Sequence, residues 1–174
     1  LEGKILLKAP LIGALECPFK KIKISFNAVA NFDYGLSLLL FSNLNTKGLE
    51  AYSLHLLPYS VDAFKISAEA RKSLVNKRFN EVSSESIITK YEIAADCDQG
   101  IFEVVLNNKT KFKFIDNEEK KIVGNKLAFI CGNSFNLICD LKISEWDGKP
   151  LEVAGDESVL SRQSNEFDML FLRN

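Results

Sequence analysis

From Ile101 to Pro150 the chain lays down four short β-type runs in succession. Ile101–Leu106, Lys111–Ile115, Gly124–Ile130 and Asp140–Glu145 are broken by Asn107-Asn108, Asp116-Asn117-Glu118-Glu119 and Gly132-Asn133. Asn, Asp and Gly accept the positive φ that tight turns need. Turns this short leave no room for the helical crossovers that parallel pairing demands. The stretch therefore predicts consecutive antiparallel strands packed as a sandwich.

The same pattern extends upstream. Along Lys20–Val29, Ile22, Ile24, Phe26 and Ala28 alternate with Lys21, Lys23, Ser25 and Asn27, the mark of a half-buried strand. Leu36–Phe41 is nearly all apolar and reads as a central strand covered on both faces. Further strands are expected at Lys4–Leu7, Glu50–Leu57, Val61–Ser67, Ser86–Ala94 and Phe135–Ile143, with Asn43–Gly48 as a polar loop. Ala68–Asn80 has helical character in Ala-Glu-Ala-Arg-Lys-Ser-Leu and reads as a short helical insertion near Ala68–Lys77, or as a long ordered loop. Trp146-Asp147-Gly148-Lys149 forms a tight exit turn. The expected fold class is all-β: a two-sheet antiparallel sandwich of jelly-roll type with one short helical insertion.

The 174 residues suit one such domain, with 47% hydrophobic residues to fill a two-sheet core. Thirteen Phe against one Met predict a core of rigid rings. Lys and Arg number 22, Asp and Glu 23. Without a basic excess, nucleic acid and anionic membrane surfaces are not the expected partners. No apolar run approaches the roughly 20 residues of a membrane span. The sandwich is expected over residues 1–150. Residues 151–174 read as a polar extension linking to a further domain, and the Leu1-Glu2-Gly3 start reads as a processed or cut end. Cys17, Cys97, Cys131 and Cys139 contain no Cys-x-x-Cys pair, so a zinc site is not expected. Cys131 and Cys139 flank an expected hairpin at Gly132-Asn133 in a register that does not favour a disulfide, and buried free thiols are expected.

The run of strands from Phe102 to Glu145, with Asn107-Asn108 after the first and Gly124-Asn125-Lys126-Leu127-Ala128-Phe129 as a Gly-led strand, resembles the concanavalin A-like lectin/glucanase superfamily. It is most similar to laminin-G-like domains and to related bacterial domains of 3-keto-glycoside-hydrolase type; Tyr34–Leu40 resembles their early strand. The resemblance spans Lys20–Trp146. It implies a Gly-led strand with no room for a side chain, a last strand paired with the first, an exported setting and Ca²⁺ at the sandwich rim. Asn108 stands where those domains usually carry Gly, and their glucanases' Glu-x-Asp-x-x-Glu pattern is absent.

Glycoside hydrolysis needs two carboxylates roughly 5–10 Å apart across a cleft. Glu92, Glu103 and Glu145 are the strand-borne candidates, and a turn at Asp98-Gln99-Gly100 would set Glu92 opposite Glu103. The alternative is solvated acids balanced by Lys90, Lys111 or Lys113. Trp146, Tyr59 and Tyr34 are candidate sugar-stacking rings, although Trp146 equally suits closure of the core. His55 falls on the polar face of its strand, a rim residue or a ligand contact. Asp33, Asp96 and Asp98 are candidate Ca²⁺ ligands or ordinary turn residues. The leading expectation is a non-catalytic carbohydrate-binding module of a larger exported bacterial protein. A glycoside hydrolase, or a structural domain whose partner is protein, are the alternatives.

Overall fold

The two-residue alternation read along Lys20–Val29 recurs in most strands and sorts the chain into two sheets. The computed structural model describes residues 2–7, 12–29, 35–45, 48–57, 59–79, 88–131 and 136–153. Its strands are β1 (Glu2–Leu7), β2 (Ile12–Glu16), β3 (Lys21–Val29), β4 (Leu36–Asn45), β5 (Gly48–Leu57) and β6 (Ser60–Ile66), then β7 (Arg71–Arg78), β8 (Ile88–Asp96), β9 (Ile101–Leu106), β10 (Thr110–Ile115), β11 (Lys126–Cys131) and β12 (Asn136–Glu145). Sheet I has the order β1-β12-β3-β8-β9-β10 and sheet II the order β2-β11-β4-β5-β6-β7. Every pairing is antiparallel, and the first strand pairs with the last. The fold is an all-β sandwich of jelly-roll type. The described residues contain no helix long and apolar enough to cross a membrane.

The core lies between the sheets. Ile22, Ile24, Phe26 and Ala28 of β3 face Leu36, Leu38 and Leu40 of β4 and Tyr52, Leu54 and Leu56 of β5, all essentially without exposure. The expected rings are there. Phe26 stacks on Tyr91 at 5.3 Å and meets Phe129 edge-on at 5.6 Å. Phe102 lies between Tyr52, at 4.7 Å, and Phe114, at 4.8 Å. As expected, β4 is covered on both faces, since Leu39 on its outer side packs with Ala51 and Ala128.

Four expectations are corrected. Residues 71–78 form β7, an edge strand, where a helical insertion was expected near Ala68–Lys77. Its pairing with β6 runs from Ser60↔Arg78 to Ile66↔Arg71 and outweighs a weak local helix preference. Ile12–Glu16 forms β2, a strand the Pro-flanked sequence concealed. Within Asn43–Gly48, expected as a polar loop, the β4–β5 ladder continues to Asn45↔Gly48. β11 and β12 are not a hairpin but lie in opposite sheets, which places Cys131 and Cys139 in different sheets. The Cys139 thiol is free and half-buried, as Cys17 and Cys97 are free and buried.

Two turn positions behave as the sequence implies. Asn107 and Asn108 take φ of 50° and 57°, so Asn serves in the left-handed turn between β9 and β10. Gly124 leads into β11 against a bulge in β4, where Phe41 has φ 51° and the ladder to β5 shifts register. A Cβ on Gly124 would sit 2.3 Å from the carbonyl oxygens of Phe41 and Ser42. Gly124→Ala is therefore expected to cost about 1–3 kcal/mol in denaturant unfolding. Asn125→Ala at the exposed neighbouring position should stay within about 0.5 kcal/mol.

Candidate functional site

β4, β5 and β6 each bury one set of alternate residues, so the other set must form the outer face of sheet II, joined there by alternate residues of β7. Register aligns those side chains into rows. Ser37 pairs with His55, His55 with Asp62, and Asp62 with Asn76, which makes one polar row across β4, β5, β6 and β7. The row is hydrogen-bonded at each end. Ser37 Oγ lies 3.1 Å from His55 Nδ1, and Asn76 Nδ2 donates to Asp62 Oδ1 at 2.7 Å. The next row runs Leu39, Ser53, Phe64 and Ser73. Arg71 lies over the Phe64 ring, its Cζ 3.7 Å from the centroid.

Burial lowers the His55 pKa, with Asp62 pulling upward and Arg71 downward. The imidazole is thus neutral near pH 7, with one nitrogen donating and the other accepting. Nδ1 engages Ser37, and Nε2 has no hydrogen-bond partner among the described residues. Asp62 keeps Oδ2 and Arg71 keeps its guanidinium N–H groups outside any ion pair with described residues. The face therefore offers planar donors and acceptors beside a ring, a set suited to vicinal hydroxyls.

Apart from that face, a concavity of about 310 Å³ is lined by Glu50, Lys65, Lys72, Glu118, Lys120 and Lys121 among others. Its charges are spent internally. Lys65 lies 2.8 Å from Asp116 and 2.7 Å from Glu118, Lys72 lies 2.6 Å from Glu118, and Lys120 lies 3.5 Å from Glu50. Lys121 donates to the carbonyls of Asp116 and Glu118. Tyr52 reaches from sheet II to donate to Asp116 Oδ2 at 2.8 Å. Burial pushes the Asp116 carboxyl up. Hydrogen bonds from Lys65, Tyr52 and the Glu118 amide outweigh that and hold it below its ordinary value. This is a clamp between the sheets rather than an open set of ligands.

The outer face of sheet I carries the carboxylate candidates. Glu103 faces Ala94 and Glu92 faces Val105, so the expected direct opposition of Glu92 and Glu103 gives way to a diagonal. Glu92 pairs with Lys90 at 3.0 Å. Glu103 is buried, with Lys111 at 3.2 Å and Lys113 at 3.8 Å, and accepts the Leu151 N–H at 2.9 Å. Lys111 also donates to the Leu151 carbonyl at 2.6 Å. Residues 146–153 thereby strap across the sheet, with Trp146 and Leu151 packed on Ala94 and Val105. Trp146 is 7% exposed and donates its indole N–H to Lys149 O, so its ring serves as packing. Glu145 is exposed at the end of β12.

Tyr59 is exposed in the turn between β5 and β6. Tyr34 and Asp33 lie outside the described residues. Asp96 is buried, 3.1 Å from Lys21, and accepts the Gln99 N–H within its turn; exposed Asp98 pairs with Lys20 at 3.3 Å. No cluster of three or more His, Cys, Asp or Glu placed to hold a metal ion occurs among the described residues. Of the sequence candidates, His55 alone stands in the sheet II row. Its partner Asp62 follows from the antiparallel ladder that pairs Leu57 with Ser60 and so sets 55 opposite 62. Asn76 and Arg71 were hidden in the segment with helical character.

Solved structures of similar fold include carbohydrate-binding modules and a galectin. The chain is similar to the CBM40 module of the Ruminococcus gnavus IT-sialidase bound to α2,3-sialyllactose, with TM-score 0.58 and 9% identity over 93% of this chain and 96% of that one. Sheep galectin-11 in complex with glycerol matches with TM-score 0.57 and 9% identity over 79% and 99%. The carbohydrate-binding module CBM66 of Bacillus subtilis matches with TM-score 0.51 and 11% identity over 83% and 84%. At these identities the likeness is one of fold. No protein-family model and no curated protein matches the sequence.

Both polar clamps are testable. Glu103→Ala should loosen the strap, red-shift the emission of the single Trp and cost about 1–3 kcal/mol in urea unfolding. The folded-state pKa of Asp116 lies below its unfolded value of about 3.9. Its stabilisation is therefore complete above that value and is lost as pH falls through the folded-state pKa. Asp116→Asn should weaken the fold by about 3–5 kcal/mol at neutral pH and flatten the acid limb of a stability–pH curve.

Proposed function

We propose that the outer face of sheet II binds carbohydrate and that the chain acts as a non-catalytic glycan-binding module. The observation that carries this reading is the registered row Ser37–His55–Asp62–Asn76 beside Arg71 and Phe64. Sugar hydroxyls come in adjacent pairs, each both donor and acceptor. Imidazole, carboxylate and amide groups fixed on neighbouring strands meet such pairs without reordering. Because strands space these groups by the ladder repeat of about 4.8 Å, the row also matches the scale of a sugar ring. The sugar-binding solved structures of the same fold support the reading. On it, the chain belongs to a larger exported protein, for which such a module supplies substrate attachment or cell-surface contact.

The hydrolase reading draws less support. Glu92 and Glu103, its best-placed carboxylates, are each neutralised by lysine, and Glu103 is covered by the strap.

A glycan-array screen tests the proposal, run with Ca²⁺ and with chelator. A hit is expected that weakens about tenfold, or 1.4 kcal/mol, in His55→Ala and Asn76→Ala, with Glu145→Ala unchanged and no substrate turned over. An array blank under both conditions, or a hit indifferent to both sheet II variants, would refute it.

A further inference from the structure

The polar face of sheet II ends at an edge strand whose charge is one-sided. β7 reads Arg-Lys-Ser-Leu-Val-Asn-Lys-Arg, with Arg71, Lys72, Lys77 and Arg78 all exposed and no acid within it. Lys72 is balanced by Glu118. Arg71, Lys77 and Arg78 form no ion pair with any described carboxylate, and neither does Lys109, exposed in the turn before β10. β7 lies beside β10, where Phe79 meets Phe112 at 5.7 Å, so Lys109 extends the same border. The whole chain has a formal net charge of −1, so this excess is local rather than general.

Register decides which of these cations face the row. Arg71 pairs with Ile66, Asn76 with Asp62, and Arg78 with Ser60, which sets Arg71, Asn76 and Arg78 on the outer face. Two guanidinium groups thus bracket the Asp62–Asn76 end of the row. Charge on an edge strand also discourages edge-to-edge pairing. One edge lysine serves that end, whereas paired arginines add planar, bidentate capacity for carboxylate or sulfate oxygens.

We propose that the glycan bound by sheet II is anionic, a carboxylated or sulfated polysaccharide whose acid groups are paired by Arg71 and Arg78 while its hydroxyls meet His55, Asp62 and Asn76. The inference rests on the glycan-binding reading of that face. The acid groups of a repeating sugar polymer recur along a line, as the cations of an edge strand do. Binding is therefore salt-sensitive, in proportion to the ion pairs formed.

Biolayer interferometry on the whole chain tests this with dextran, dextran sulfate and polygalacturonate, the last two separating sulfate from carboxylate. At low salt at least one anionic polymer should bind about tenfold more tightly than dextran. The Arg71→Gln/Arg78→Gln variant should lose about tenfold of that affinity and show a shallower salt dependence, while Lys23→Gln at an exposed site on sheet I changes neither. Light scattering and a thermal melt verify that the double variant is folded and monodisperse, with Arg78→Gln alone as the milder version. Equal binding of all three polymers overturns the proposal, as does an equal loss in Lys23→Gln. Single-stranded DNA bound as tightly, with the same losses, overturns it in favour of a general polyanion surface. A neutral glycan lost in His55→Ala but untouched by the double variant leaves the glycan reading standing and removes this one. Failure to retain any carbohydrate removes both.

Discussion

The two-residue period of a β-strand governs this molecule, because burying one set of residues commits the other set to the opposite face. On β4 and β5 the buried set is Leu36, Leu38 and Leu40 with Tyr52, Leu54 and Leu56. Each such side chain contributes roughly 1.5–3 kcal/mol on leaving water. Against that, the position of Ser37 or His55 has no energetic vote. A slip by one residue would drive His55 into the core and Leu54 out, so the register that protects the core also aligns the polar row.

Polar burial does a different job in each sheet. The Tyr52–Asp116–Lys65 clamp joins sheet II to the segment that follows β10, and the Glu103–Lys111–Leu151 contacts fasten the exit strap to sheet I. Lys65 and Asp116 have side chains only 8% and 0% exposed, so each depends on the other to offset the loss of water. These networks use up carboxylates and lysines that would otherwise resemble catalytic or ligand groups. On the outer face of sheet II, by contrast, Asp62, His55 and Arg71 retain atoms with capacity to spare. That difference, more than the kinds of residue present, separates scaffold from candidate site.

Much of the architecture was legible along the chain. Alternation in β3 and β8, the nearly all-apolar run of β4, and the Asn107-Asn108 turn each carry a local physical signal that tertiary context did not overturn. β7 was not legible. Its Ala-Glu-Ala-Arg-Lys approach favours helix weakly, and an edge strand has few buried residues to advertise a period of two. β2 escaped for a similar reason, being only five residues long. The candidate site was half legible. His55 stood out as the single histidine on a polar face, whereas Arg71 and Asn76 gain meaning only once β7 is a strand.

Local sequence by itself determined that this chain makes short antiparallel strands around an aromatic core, because alternation, ring content and turn residues are properties of near neighbours. Tertiary structure alone decided that β11 and β12 part into opposite sheets. It decided that Glu92 and Glu103 meet lysines before they meet each other, and that Trp146 packs with the exit strap onto Ala94 and Val105. Those outcomes depend on which strands become neighbours. That choice is settled by how two whole sheets bury their faces together, and no single segment encodes it.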